Sequence, residues 1–331
     1  MTSQSPGTAT SQTAARPWTA AMADFLIRHI MVVVMLVIVA FFAYRSARFA
    51  TPDNLATILI AAAPFALIAL GQTLVILTGG IDLSVGSVIA ASAMAAAWTA
   101  KHVGISPFLP LVAALLTGLI AGAVNGLVVS RLNVPPFIAT LGMLTLTSGI
   151  AYVIGNGAPI NGLPAFFGVF ANTQVFGVTV PVVLMIVAIL GFAFLMKRTS
   201  YGLRIYALGG NRLAAEIAGV RSRGVLFSVY AISGLLAGIS GLVLSSRVIT
   251  GAPNLGQGYE LDAIAAVVIG GASLMGGRGT VWGTAIGLLL IQTINNGLDL
   301  LLVPAYWQNV IKGVIIVAAV AVDVWAARRR P

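Results

Sequence analysis

Residues 55–87 read LATILIAAAPFALIALGQTLVILTGGIDLSVGS. The run from Leu55 to Thr78 is almost wholly apolar and long enough to cross the hydrocarbon of a bilayer, which takes about 20 residues. A chain in that medium must satisfy every backbone polar group internally, so it spans as a helix or as a closed barrel. Unbroken runs of Ala, Leu, Val and Ile fit a helix; a barrel strand alternates apolar and polar residues. Then Gly79-Gly80-Ile81-Asp82-Leu83-Ser84 breaks the run, and an apolar stretch resumes at Val85. Further runs of this kind fall at 27–44, 83–100, 108–129, 136–154, 179–196, 225–245, 261–275, 281–298 and 305–326. The expected fold is all-α: a polytopic helical membrane protein of about ten transmembrane helices.

Composition agrees. Charged residues make up 8% of the chain and hydrophobic residues 59%, against roughly 25% charged in a soluble domain. Too little charge is present to cover a water-facing surface. The net charge of +10 does not point to nucleic acid, because the basic residues sit at the ends of the apolar runs. With the N-terminus inside, 13 of the 18 basic residues fall on the cytoplasmic side, including Arg328 to Arg330 and the cluster from Lys197 to Arg223. That is the positive-inside bias, and it places both termini in the cytoplasm of a cell whose inner membrane holds the chain. Residues 1–24 read as a disordered tail, rich in Ser, Thr, Ala and Gln near the start, without a signal-peptide pattern. Residues 25–331 form the membrane domain, with 197–224 as a cytoplasmic loop. The absence of cysteine removes disulfides and thiolate metal sites. No cofactor is expected.

Four constellations stand out. In the break after Leu77, paired glycines end a helix readily. Asp82 or Ser84 then either caps the next helix or lines a wet path through a discontinuous helix. In the basic loop, Asn211 reads as the N-cap of a short helix that Gly219 ends. Such a helix is marginal alone, so its apolar face rests either on a peripheral subunit or on lipid headgroups. Near the third-last run, Tyr259, Glu260 and Asp262 introduce a helix. The two acids complement its dipole, or they stand at an outer gate or a docking site for an external protein. Finally, Gln72, Asn125, Thr140, Asn295, Asn296 and Asp299 are polar groups within or beside apolar runs. They face the bundle interior, as helix-to-helix bonds or as the lining of a path for a neutral, hydroxyl-rich solute.

A weak echo links Gly118–Pro135 with Gly287–Pro304: each holds Asn-Gly and ends in Val-Pro. It is an inverted repeat of the kind transporters use, or a chance likeness. No G-x-x-x-x-G-K-[ST] phosphate loop exists in the chain, so ATP hydrolysis is not expected of it.

Several ordered blocks carry a resemblance: Gly71 to Ser87, Phe137 to Gly142, Tyr206 to Asn211, Gly258 to Gly271, and Asn295 to Leu298. In this order they resemble the permease subunits of bacterial ribose-type sugar ABC importers. The resemblance implies a sugar-translocating, non-enzymatic subunit in the inner membrane. Its partners would be a second permease copy, a cytoplasmic ATP-binding subunit, and a periplasmic or lipid-anchored solute-binding protein. It also implies that the 206–220 segment couples to the ATPase through Gly209, Asn211, Ala214, Ala215, Glu216 and Gly219. Candidates for the path lining are Gln72, Asp82, Ser84, Asn125, Thr140, Asn295, Asn296 and Asp299. Tyr259, Glu260 and Asp262 are the candidates for an outer gate or binding-protein contact.

Overall fold

The structure is a computed structural model and describes residues 30–104, 106–314 and 317. The N-terminal tail of the sequence reading and the arginines near both termini lie outside these residues. The principal helices are α1 (Ile30–Arg45), α2 (Pro52–Leu77), α3 (Val85–His102), α4 (Phe108–Arg131) and α5 (Pro136–Ile154). A short α6 (Val169–Asn172) precedes α7 (Val180–Arg198), α8 (Ser200–Gly210), α9 (Arg212–Ile217), α10 (Ser222–Val248), α11 (Tyr259–Ile269) and α12 (Val281–Leu300). Residues 305–314 are helical as well.

Each of the ten apolar runs contains a helix. Among the described residues, however, only α2, α4, α5, α7 and α10 are long and apolar enough to cross a membrane by length and composition. The run 261–275 is a correction. Its helix stops at Ile269 because Gly271 turns the chain at φ 88°, which leaves 11 residues, or about 16 Å at 1.5 Å per residue. That is half of a hydrocarbon core of roughly 30 Å. The loop 197–224 is also more ordered than expected, since Tyr206 to Gly210 belong to α8.

Burial sorts the helices. Every residue from Ala62 to Leu77 on α2 is buried, so this helix is enclosed on all sides. It begins at Thr51, whose hydroxyl accepts the Asn54 N–H at 3.3 Å, with Pro52 at the first helical position. Most of α10 is buried too, while α5 and α7 bury only 22% of their most apolar window and form the periphery. The central helices approach each other through glycine. Gly118 and Gly122 on α4 face Gly234 and Gly238 on α10; a Cβ at Gly122 would stand 2.9 Å from the Gly234 Cα. Small residues spaced four apart let helix backbones meet in this way.

The order long helix, break, helix, helix occurs twice, as α2–α3–α4 and as α10–α11–α12. In the structure α4 lies against α3 and α10, and α12 lies against α11 and α2. The Asn-Gly pairs of the sequence echo nonetheless do different work. Asn125 bonds Ser84, whereas Asn296 and Asn54 exchange amide hydrogen bonds at 2.8 and 2.9 Å.

Between α5 and α7, residues 155–179 form a strap with a 3-10 turn at Ala165–Gly168 and a two-stranded hairpin, Gln174–Val175 with Val178–Thr179. The strap holds down the chain that follows α10. Ile160 and Gly251 exchange backbone bonds at 2.8 and 3.1 Å, and the Ser246 hydroxyl donates to the Phe167 carbonyl at 2.6 Å. Residue 312 of the last described helix ties back to α11: the Lys312 ammonium lies 2.9 Å from the Asp262 carboxylate.

Candidate functional site

Residues 78–84 cross the interior without helical structure. Irregular backbone survives at membrane depth only where protein encloses and satisfies it, and here side chains of four helices do so. Gln72 of α2 pairs with the Asp82 backbone. In the amide orientation that satisfies both groups, its nitrogen donates to the Asp82 carbonyl at 3.1 Å and its oxygen accepts the Asp82 N–H at 3.3 Å. Thr140 of α5 places its hydroxyl 3.1 Å from the Ile81 carbonyl. The Asp82 carboxylate accepts from the Ser84 N–H at 3.0 Å, the Ser84 hydroxyl at 2.6 Å, and the Ser233 hydroxyl of α10 at 3.0 Å. Asn125 of α4 then donates to the Ser84 hydroxyl at 2.9 Å.

Five sequence candidates, Gln72, Asp82, Ser84, Asn125 and Thr140, therefore meet in one buried cluster. Asp82 is 1% exposed, and it does not cap α3. Ser84 is the N-cap of α3 by position, but its side chain makes no cap bond. Ser233 is the member the sequence reading missed, because a lone serine inside a long apolar helix carries little signal.

The other path candidates are elsewhere. Asn296 clamps Asn54, and Asp299 accepts from Gln308 at 2.8 Å. The Asn295 side-chain oxygen is buried without a partner among the described residues.

Two cavities flank the broken segment. Thr78, Gly79 and Gly80 line one of about 230 Å³, together with Asn133, Arg212 and the buried Tyr230. Gly86 and Ser87 line the other, of about 210 Å³, together with Ser148, Asn254, Gln257 and Glu260. Of the three outer candidates, Glu260 faces this second cavity, Asp262 is paired to Lys312, and Tyr259 stacks edge-on against Phe65 with ring centroids 5.2 Å apart.

The near end of the break is joined to the short helices. Gly209 of α8 sits where a side chain would strike the Leu77 carbonyl, and Gly277 donates its N–H to that carbonyl at 2.9 Å. The Tyr206 hydroxyl donates to the Gly279 carbonyl at 2.9 Å. So α8 grips the last residue of α2 and the glycine loop after α11 together. Beyond it, the Asn211 side chain accepts the Ala214 N–H at 3.0 Å, and Gly219 turns the chain at φ 87°. Ala215 is buried and faces the protein's own interior. The outward residues are Leu213 and Ile217, 69% and 81% exposed.

Glu216 accepts from the Ser222 hydroxyl at 2.6 Å and from Arg212 at 3.0 Å. These two bonds hold its carboxyl below the ordinary value of 4.5. A depressed carboxylate supports α9 above its unfolded value, and that support is lost as pH falls through the lower folded one. The protection of amides 212–219, corrected for the intrinsic exchange rate at each pH, is therefore expected to fall in acid below pH 4.5; Glu216→Gln should show no such step.

A chain with a buried, side-chain-satisfied break between two cavities has the anatomy of a translocating membrane protein. The sequence profile described as "Branched-chain amino acid transport system / permease component" matches residues 54–320. The chain belongs to this permease family. It is 42% identical over 277 residues to the ribose import permease protein of Bacillus subtilis (strain 168), covering 83% of this chain and 86% of that protein. It is 39% identical over 294 residues to the D-allose transport system permease protein of Escherichia coli (strain K12), covering 88% and 89%. A fructose import permease protein of Rhizobium meliloti is 34% identical over 303 residues, covering 89% and 84%. No solved structure matches the chain. As a permease of this family it is a multi-pass membrane protein, and the likeness extends over nearly its whole length.

Proposed function

We propose that the chain is the transmembrane permease subunit of an ATP-driven importer that carries a monosaccharide across the bacterial inner membrane. The observation that carries the reading is the near full-length identity to permeases named for ribose, allose and fructose import. In this reading two permease copies form the path, a solute-binding protein delivers the sugar from outside, and a separate cytoplasmic subunit hydrolyses ATP. Both termini lie in the cytoplasm, as the distribution of basic residues favours.

The geometry supports a route for the coupling. Exposed Leu213 and Ile217 present an apolar face on the basic cytoplasmic side, where an ATPase subunit would bury them. Movement of α9 passes to α8 and, through Gly209, to the end of α2 and the glycine loop beyond α11. The break after α2 and that glycine loop then shift together, and the Asp82 cluster between the two cavities is the element that rearranges.

Reconstituted alone in proteoliposomes, the chain is expected to take up no sugar. With its ATPase and loaded binding protein it should take up ribose, allose or fructose only when ATP is present. ATP-independent uptake by the chain alone would instead make it a facilitator, and ATP-driven uptake of leucine rather than sugar would favour the solute in the family's description. Leu213→Ser with Ile217→Ser should weaken ATPase association by about tenfold or more, as loss of a buried apolar anchor does. Unchanged association would remove α9 from the docking surface.

A further inference from the structure

The 210 Å³ cavity beside the break has a construction that the permease reading alone does not require. Its floor is the first turn of α3, one wall is the middle of α5, and the other is the strap-held loop from Pro253 to Gln257 with the start of α11. At Gly86 the missing side chain makes room: a Cβ there would strike the Glu260 carboxylate and stand 2.6 Å from the Gly256 carbonyl. The Glu260 carboxylate is thus seated directly on the backbone of α3.

The two acids of α11 are treated differently. Asp262 is neutralised by Lys312. Among the described residues no cation pairs with Glu260, and no side-chain hydrogen bond occupies Ser148, Asn254 or Gln257. Ser87, by contrast, is already committed: it donates to the Ser84 carbonyl at 2.9 Å and accepts from Thr147 at 2.7 Å. It is wall rather than ligand, and it ties the cavity to the Asp82 cluster.

We infer that this cavity is a solute subsite that reads vicinal hydroxyl groups, with Glu260 as the acceptor. A carboxylate presents two oxygens and several lone pairs, so it can accept from two neighbouring hydroxyls of one sugar. Gln257 and Asn254 supply amides that both donate and accept, and Tyr152 and Leu144 give the apolar surface that the C–H face of a sugar ring covers. A solute without hydroxyl groups would leave the Glu260 carboxylate only the backbone N–H groups of Gly258 and of Glu260 itself. A site built to bond a hydroxyl rejects the analogue that lacks it, because its own polar group is stranded. The inference rests on the sugar-import reading and adds to it where, within one permease copy, the sugar is recognised.

The test uses the whole complex in proteoliposomes, with permease, ATPase and binding protein saturated with each sugar in turn. Uptake of ribose is compared with uptake of 2-deoxyribose and 3-deoxyribose. The wild type is expected to favour ribose. Glu260→Gln should lower ribose turnover by about tenfold, the scale of a lost charge-assisted hydrogen bond, and should shrink the ribose preference. Asn254→Ala with Gln257→Ala, both exposed loop positions, should shrink the same preference. If that preference is unchanged in Glu260→Gln, the subsite is wrong while the sugar reading stands. Should Glu260→Gln fail to assemble, as judged by gel filtration, the loop double variant decides: an unchanged preference there overturns the subsite. If the wild-type complex imports neither ribose, allose nor fructose, it is the sugar reading that fails.

Discussion

Gly122→Val is expected to leave almost no folded protein. A Cβ at Gly122 would lie 2.9 Å from the Gly234 Cα and 3.0 Å from its nitrogen, with the Tyr230 carbonyl nearer still. All three obstacles are backbone, so no side chain can swing aside. The helices α4 and α10 would have to part, and the Gly118–Gly238 contact one turn away would open with them. Overpacking a tight interior costs about 1–3 kcal/mol and sometimes more; losing a whole helix contact adds to that, against a total stability of roughly 5–15 kcal/mol. The yield of monodisperse protein in detergent should fall by about tenfold or more. Gly149→Ala is the control, since nothing lies within 4 Å of its Cβ position, and it should purify like the wild type. Equal yields for the two variants would show that α4 and α10 do not meet through glycine.

The second large effect is expected at Asp82. Leucine there takes the acceptor from the Ser84 N–H and from the hydroxyls of Ser84 and Ser233. Of these only the Ser84 hydroxyl keeps a bond, the one it accepts from Asn125; a buried polar group left unpaired costs about 1–3 kcal/mol. It also removes what holds the non-helical segment between α2 and α3. Asp82→Leu should abolish uptake and shift thermal unfolding of the purified chain downward. Asp82→Asn keeps one acceptor oxygen, so it should assemble and keep part of the stability. Normal uptake in both variants would remove the cluster from the transport cycle, and normal stability in Asp82→Leu would mean that its bonds are not needed to hold the break.

Much of this fold could be read in the chain's letters, because bilayer physics enforces it. The run 136–154 matches α5 at both ends, where Pro135-Pro136 starts the helix and Gly155 follows it. The end of α11 was legible only in part: the glycine-rich stretch from Gly270 to Gly279 reads as a break, yet the apolar run reads on to 275. Hydropathy stays high from Ala263 through Ala272, and the backbone turn at Gly271 fixes where the helix stops. The strap from 155 to 179 was silent for a related reason: its hold on the loop after α10 depends on backbone bonds such as Ile160 to Gly251, which no residue type announces.

The site divides along the same line. Asp82, Gln72 and Asn125 were visible as polar groups that lipid would not tolerate. Their convergence on one point was not, since Ser233 lies 151 residues from Asp82. Glu260 was visible as an acid, but its cavity depends on Gly86 having no side chain. Ala214 and Ala215 were legible as helix formers, whereas the outward turn of Leu213 and Ile217 followed only from the packing of α9.

The enclosure of α2 bears on how the chain is made. Its buried circumference is completed by α10 and α12, which leave the ribosome long afterwards. At about 5–20 residues per second, the 151 residues that separate Asp82 from Ser233 take roughly 8–30 s to synthesise. For that interval the carboxylate and its extended segment have no enclosure, and hydrocarbon would be a hostile lodging. The insertion machinery must shelter this stretch, or let it wait in water, until the second half arrives. Truncations that end before α10 should consequently be cleared by membrane proteases.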